Sequence, residues 1–282
     1  MAYRDMGRGQ VIVMVHGNPT WSYYYRHLAD ALTAEHGLKH AYRVLIPDHI
    51  GMGQSDRWFD VEQTYTLANR LDDFSNWLDA RLLEQDEPNA PIDLVVHDWG
   101  GAIALSWAAR HPERVRRLVI LNTWAFNIPK GGKLPWLLRL ARTRVGGWLI
   151  VRFNAFARIA ARVATKKPIE RSIRQAWVSP YTGAPQRRLA TWQFVKDIPL
   201  SADDPSWLVL AQTEKQLEGL KNKPIFIGWG MKDFVFTPSV LAIWDTLFPQ
   251  AEVHRYAKAG HYVLEDERVD LVPAITEFLD RD

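Results

Sequence analysis

The chain has 282 residues, 47% hydrophobic and 24% charged, which is enough for a large buried core and outside the compositions of disordered or repeat-built chains. It has no cysteine, which excludes disulfides, thiolate nucleophiles, cysteine-ligated zinc and iron–sulfur clusters; any chemistry rests on oxygen and nitrogen groups. The net charge of +3 is too small to point to nucleic acid, and no such partner is expected.

Met1–Gln10 is polar, and the apolar run Val11–Val15 is too short for a signal-peptide core, so export is not indicated and a cytoplasmic location is expected. Short β-branched runs bounded by Gly, Pro or Asp predict buried strands at Val11–His16, Tyr42–Pro47, Pro91–His97, Val115–Asn122 and Pro224–Gly230, with a weaker one at Glu252–Ala257. Between most of them lie helix-length segments such as Thr20–Thr33, Leu67–Leu83 and Gly101–Arg110. The alternation predicts an α/β fold, a mostly parallel sheet with helices on both faces.

The alternation stops after Asn122. About a hundred residues of helical spacing intervene before the strand at Pro224. Within them Leu149, Phe153, Phe156, Ala160 and Val163 fall at three- and four-residue steps, which predicts one apolar helix face. Open α/β sheets bind ligands at the carboxyl ends of their strands, so a helical insertion there is placed to roof a pocket. The expected organisation is a core domain of residues 1–124 and 216–282 with a helical cap domain at 125–215. No acidic residue lies between Glu113 and Glu170, whereas 125–169 carries ten Lys or Arg. That stretch is a candidate for peripheral docking at a membrane surface or at partner proteins, with a solvated face as the ordinary alternative. Its longest apolar run, Val145–Val151, is far short of a bilayer span.

The stretch most informative about chemistry is Leu94-Val95-Val96-His97-Asp98-Trp99-Gly100-Gly101, a strand running into small residues and a helix with a nucleophile at the junction. Val96 departs from the glycine usual at its position in serine hydrolases. The nucleophile position holds Asp98, and a carboxylate attacks saturated carbon bearing a leaving group, which disfavours serine-esterase chemistry. The bland alternative is a structural Asp at a strand end. In this fold the order is nucleophile, acid, histidine, and the late segments Gly228-Trp229-Gly230-Met231-Lys232-Asp233 and Ala259-Gly260-His261 supply Asp233 and His261 in that order. No acid directly follows Val115–Asn122, which favours Asp233 over that position, against its rival as a turn residue. His16-Gly17-Asn18-Pro19-Thr20-Trp21 follows the first strong strand. Main-chain N–H groups of Asn18 and Trp99 are candidates for an oxyanion hole, and their side-chain N–H groups for holding a departing anion.

The segments HGNPTW, PDHIGMGQSD and VVHDWGG, with the late Asp and His, closely resemble the haloalkane dehalogenase family of α/β-hydrolases. PKGGKLPW, VRFNAFAR, FVKDIPL and GWGMKDFVF resemble its third subfamily, whose members include the β-lactone decarboxylases of bacterial long-chain olefin biosynthesis. The resemblance runs from Val11 to about Asp266, cap included. It implies an α/β-hydrolase fold with nucleophile Asp98, acid Asp233, base His261 and anion-stabilising Asn18 and Trp99. It implies a small hydrophobic substrate, no metal or cofactor, and decarboxylation of cis-β-lactones to cis-olefins as the preferred activity; the alternatives are haloalkane dehalogenation and an inactive ligand-binding protein. Membrane or olefin-pathway enzymes are the implied docking partners. Relatives have another strand before Ala2–Asp5, so the first strand is expected to be missing. Epoxide hydrolases of this fold use a pair of cap tyrosines, whereas Tyr181 is the only Tyr between 125 and 215. Fluoroacetate dehalogenases carry arginines beside the nucleophile, where this chain has Trp99.

Overall fold

The structure is a computed structural model and describes residues 1–34, 37–58, 65–84, 88–128 and 134–282. Residues 129–133, which carry most of the PKGGKLPW segment and both of its lysines, Lys130 and Lys133, lie outside the described residues.

The strands are β1 (Tyr3–Gly7), β2 (Gln10–Val15), β3 (Tyr42–Pro47), β4 (Ile92–Asp98), β5 (Val115–Thr123), β6 (Ile225–Gly230) and β7 (Glu252–Tyr256). They form one seven-stranded sheet in the order β1-β3-β2-β4-β5-β6-β7. Every pairing is parallel except β1 with β3. The six strands expected from β-branched runs are present within a residue or two of their predicted ends. β1 is an addition: its half-exposed sequence Tyr3-Arg4-Asp5-Met6-Gly7 carries no apolar run, because an outer strand packs on one side only.

Helices α1 (Arg26–Leu32), α2 (Leu67–Leu82) and α3 (Trp99–Arg110) follow β2, β3 and β4. The predicted Thr20–Thr33 helix is divided into a 3₁₀ turn at Ser22–Tyr25 and α1. After β5 come α4 (Trp136–Arg142), α5 (Arg144–Phe153), α6 (Ala155–Val163), α7 (Arg171–Val178), α8 (Leu189–Lys196) and α9 (Trp207–Gln216); α10 (Pro238–Leu247), α11 (Val263–Asp266) and α12 (Arg268–Leu279) complete the chain. Alternate residues of β2 show the layering. Val11, Val13 and Val15 belong to the core layer that also holds α2, α3 and α10, and Ile12 and Met14 to the layer that holds α1 and α12. Burial on both faces is why these strands read as unbroken apolar runs.

The single helix face expected from Leu149 to Val163 is two helices. Asn154 sits between α5 and α6 in the left-handed region (φ 57°, ψ 34°), and its N–H closes the end of α5 on the carbonyls of Leu149 and Ile150. Asn tolerates this conformation, and one residue of interruption leaves the spacing of apolar positions almost undisturbed. No helix among the described residues is long and apolar enough to cross a membrane.

Candidate active site

β2 has β3 on one side and β4 on the other, so chain direction across the sheet reverses there, and the loops leaving β2 and β4 diverge around a crevice. Asp98 ends β4 and Trp99 begins α3 with no intervening loop. The turn forces Asp98 to φ 51°, ψ −129°, a region where a non-glycine residue is strained. Neighbouring glycines make room for it. A Cβ on Gly100 would run into the Val15 carbonyl, one on Gly101 into Thr123 Oγ1, and one on Gly17 into the Asp98 carboxylate. Thr123 Oγ1 also donates to the Asp98 carbonyl at 2.5 Å. The Asp98 carboxylate does not cap α3. Its Oδ1 accepts the Asn18 main-chain N–H at 2.7 Å, and its Oδ2 lies 3.4 Å from His261 Nε2.

His261 follows β7, and its Nδ1 is 2.8 Å from Asp233 Oδ2, just beyond β6. Asp233 has further donors: Asn122 Nδ2 to Oδ2 at 2.9 Å and the Val235 N–H to Oδ1 at 2.7 Å. All three of Asp98, Asp233 and His261 are buried. Burial alone would push the Asp98 carboxyl up, but the hydrogen bond and charge of His261, with the Asn18 N–H, hold it below its ordinary value. Burial likewise opposes a charged His261, and the two carboxylates, Asp233 foremost, overcome it and raise the imidazole to about 10.

These shifts fix the sign of the pH dependence. A raised histidine pKa contributes stability in full below its ordinary 6.5, and the contribution is lost as pH rises towards 10. A lowered Asp98 contributes above its ordinary 3.8 and is lost in acid. Urea midpoints are expected to fall between pH 6.5 and 10, and to fall less in His261→Gln; parallel curves for the two proteins would contradict the assignment.

Asn18 and Trp99 both line a cavity of about 730 Å³ that also takes in Asp98 and His261. The Asn18 amide is partly committed: Nδ2 donates to the Thr191 carbonyl at 3.1 Å, and Oδ1 is buried without a partner. The Trp99 ring packs edge-on to Trp124 and against Phe194, centroids 4.9 and 5.0 Å away. Opposite the strand ends, α4, α5 and α6 supply an apolar wall that includes Leu138, Leu149, Ile150 and Phe156. Phe153, expected on that wall, is the last residue of α5, is 48% exposed and does not line the cavity. Tyr181 is buried with its hydroxyl on the Thr20 carbonyl and does not line the cavity.

Several further residues support the site. Asn122, at the end of β5, clasps Gly230 through both backbone groups (2.8 and 3.2 Å) while donating to Asp233. Its place at a strand terminus next to the crevice was a usable signal. His97 points to the other side of β4 from Asp98 and reaches the His261 carbonyl at 2.9 Å; burial lowers its imidazole to about 3, so it is neutral. Asp48, in PDHIGMGQSD, braces the loop after β2 by accepting the Ser22 N–H at 2.7 Å.

A family model described as alpha/beta hydrolase fold matches residues 10–268. A cis-3-alkyl-4-alkyloxetan-2-one decarboxylase of Xanthomonas campestris pv. campestris is 42% identical over 289 residues, covering 100% of this chain and 92% of its own length. A decarboxylase of the same name from Shewanella oneidensis is 42% identical, covering 98% of this chain and 84% of its own. Among solved structures, the crystal structure of a haloalkane dehalogenase from Agrobacterium tumefaciens superposes with a TM-score of 0.83 at 25% identity, covering 98% of this chain and 91% of that one.

Proposed function

The chain belongs to the α/β-hydrolase fold family, and from that premise we propose that it decarboxylates cis-3,4-dialkyl-2-oxetanones to cis-olefins and carbon dioxide. Residues 125–215 act as a cap domain over a core of 1–124 and 216–282. The observation that carries the reading is the Asp98 carboxylate, held in a strained turn 3.4 Å from the His261 imidazole and facing a large apolar cavity. The likeness to two proteins named as decarboxylases supplies the substrate class.

Asp98 attacks the ring carbon that bears oxygen. The new C–O bond forms with inversion, the ring C–O bond breaks, and the ring oxygen leaves as part of a carboxylate that stays attached to the neighbouring carbon. The bond to that carboxylate then breaks, and its electron pair forms the alkene as the ester C–O bond opens anti to it. Carbon dioxide departs and Asp98 recovers its charge. Inversion followed by anti elimination converts a cis ring into a cis alkene, and no water is consumed.

His261 has a stated electrostatic role in this sequence. Forming the ester removes the Asp98 charge, but the released substrate carboxylate replaces it, so the imidazole keeps its proton and does not activate water. With a haloalkane, the halide leaves instead; His261 loses one of its two carboxylate neighbours, its pKa falls, it gives up its proton to solvent, and the neutral imidazole can then take a proton from the attacking water. Asp233, held by Asn122 and the Val235 N–H, fixes the ring in either case.

Incubation of purified protein with a synthetic cis-3,4-dialkyl-2-oxetanone is expected to yield the cis-alkene and carbon dioxide. A β-hydroxy acid as the main product would refute the elimination. Steady bromide release from 1-bromoalkanes with no lactone turnover would identify a dehalogenase, and neither activity in folded protein would leave a ligand-binding role.

A further inference from the structure

Every exposed position of α4, α5 and α6 carries either an arginine or a large apolar side chain. The arginines are Arg139, Arg144, Arg152, Arg158 and Arg162. Trp136, Val145, Trp148 and Phe153 are the most exposed of the apolar set, at 69, 63, 57 and 48%. Three more, Leu140, Ile159 and Val163, are exposed and also line the cavity, so the patch borders its opening. Seven of the twelve exposed large apolar side chains among the described residues fall on these three short helices. On α5, Val145, Trp148 and Arg152 share one stripe, while Gly146, Gly147 and Ile150 face inward. The Trp148 and Phe153 rings meet edge-on at 5.0 Å, with the Arg152 guanidinium 5.7 Å from the Phe153 ring.

A solvated helix face carries mixed charges and few large apolar groups. This one carries cations only, within the span from 114 to 169 that lacks any Asp or Glu. Tryptophans among arginines on helices too short to span a bilayer match the chemistry of an interfacial segment. The apolar groups suit the acyl boundary, and the arginines suit anionic headgroups.

We propose that the α4–α6 face docks on an anionic lipid surface, with the cavity mouth turned to the bilayer. Docking of this face does not depend on the activity. The consequence that an apolar substrate passes from lipid to Asp98 without crossing water rests on the functional reading above.

The test uses the whole protein and vesicles without substrate. Vesicles of phosphatidylcholine with about 30% phosphatidylglycerol are expected to bind it about ten-fold more tightly than phosphatidylcholine alone, the preference shrinking in high salt. Val145→Ser/Trp148→Ser and Arg144→Glu/Arg152→Glu are each expected to lower binding to the anionic vesicles about ten-fold. Both variants should turn over a short-chain, water-soluble lactone at the parent rate. Equal binding to both vesicle types, or none, would overturn the proposal. So would a concentration-dependent dimer abolished by the same variants, since the face would then meet a second copy. If vesicles bind as expected and no lactone is consumed, the docking stands and the functional reading falls.

Discussion

Asp98→Asn is expected to lower lactone turnover by on the order of ten-thousand-fold, with little loss of fold, because it removes the negative charge proposed to attack while keeping the side chain's shape. The amide retains an oxygen to accept the Asn18 N–H that the carboxylate now receives at 2.7 Å. Steady-state olefin release measured by gas chromatography, alongside circular dichroism and a urea midpoint, separates lost chemistry from lost structure. Turnover within ten-fold of the parent would rule out nucleophilic attack by residue 98.

His261→Gln divides the two reactions that one site can support. With lactone, the variant loses the cation beside Asp98, and turnover is expected to fall roughly a hundred- to ten-thousand-fold. With a 1-bromoalkane, an ester formed at Asp98 has no base to direct water at it. Intact-mass spectrometry is then expected to find protein heavier by one alkyl group, localised to the peptide that contains Asp98. Continued bromide release with no such adduct would contradict the covalent step. Gln at 261 also removes the group that the two carboxylates raise to about 10, so this variant serves the alkaline stability comparison as well.

The interior strands were legible because β2, β4, β5 and β6 are buried on both faces and have no polar alternation to obscure them. β1 was not, since an outer strand is only half covered. The tight junction at Asp98 was readable from Gly100 and Gly101, whose missing side chains are what allow strand, turn and helix to meet. Asp98, Asp233 and His261, predicted from chain order, are brought within hydrogen-bond or ion-pair reach. Asn122 is only partly legible: its place at a strand end beside the crevice is a signal, but its task of holding the segment after β6 has no residue pattern of its own. The division at Asn154 was invisible for another reason: helical periodicity measures spacing, and a single left-handed residue alters direction far more than spacing. Phe156, after that residue, borders the cavity, and Phe153, before it, does not.

The Asn18 amide spends one of its two hydrogens on the carbonyl of Thr191, a residue of α8. It therefore has a single hydrogen left to offer an ion inside the cavity. A free halide, stripped of its water and released among hydrocarbon walls, must be solvated by whatever donors remain until it escapes. Carbon dioxide makes no such demand: it leaves uncharged, with an uncharged hydrocarbon, and the only anion at the end of the cycle is the enzyme's own. Loss of carbon dioxide asks nothing of that remaining hydrogen, whereas a halide would draw on it together with the Trp99 indole N–H.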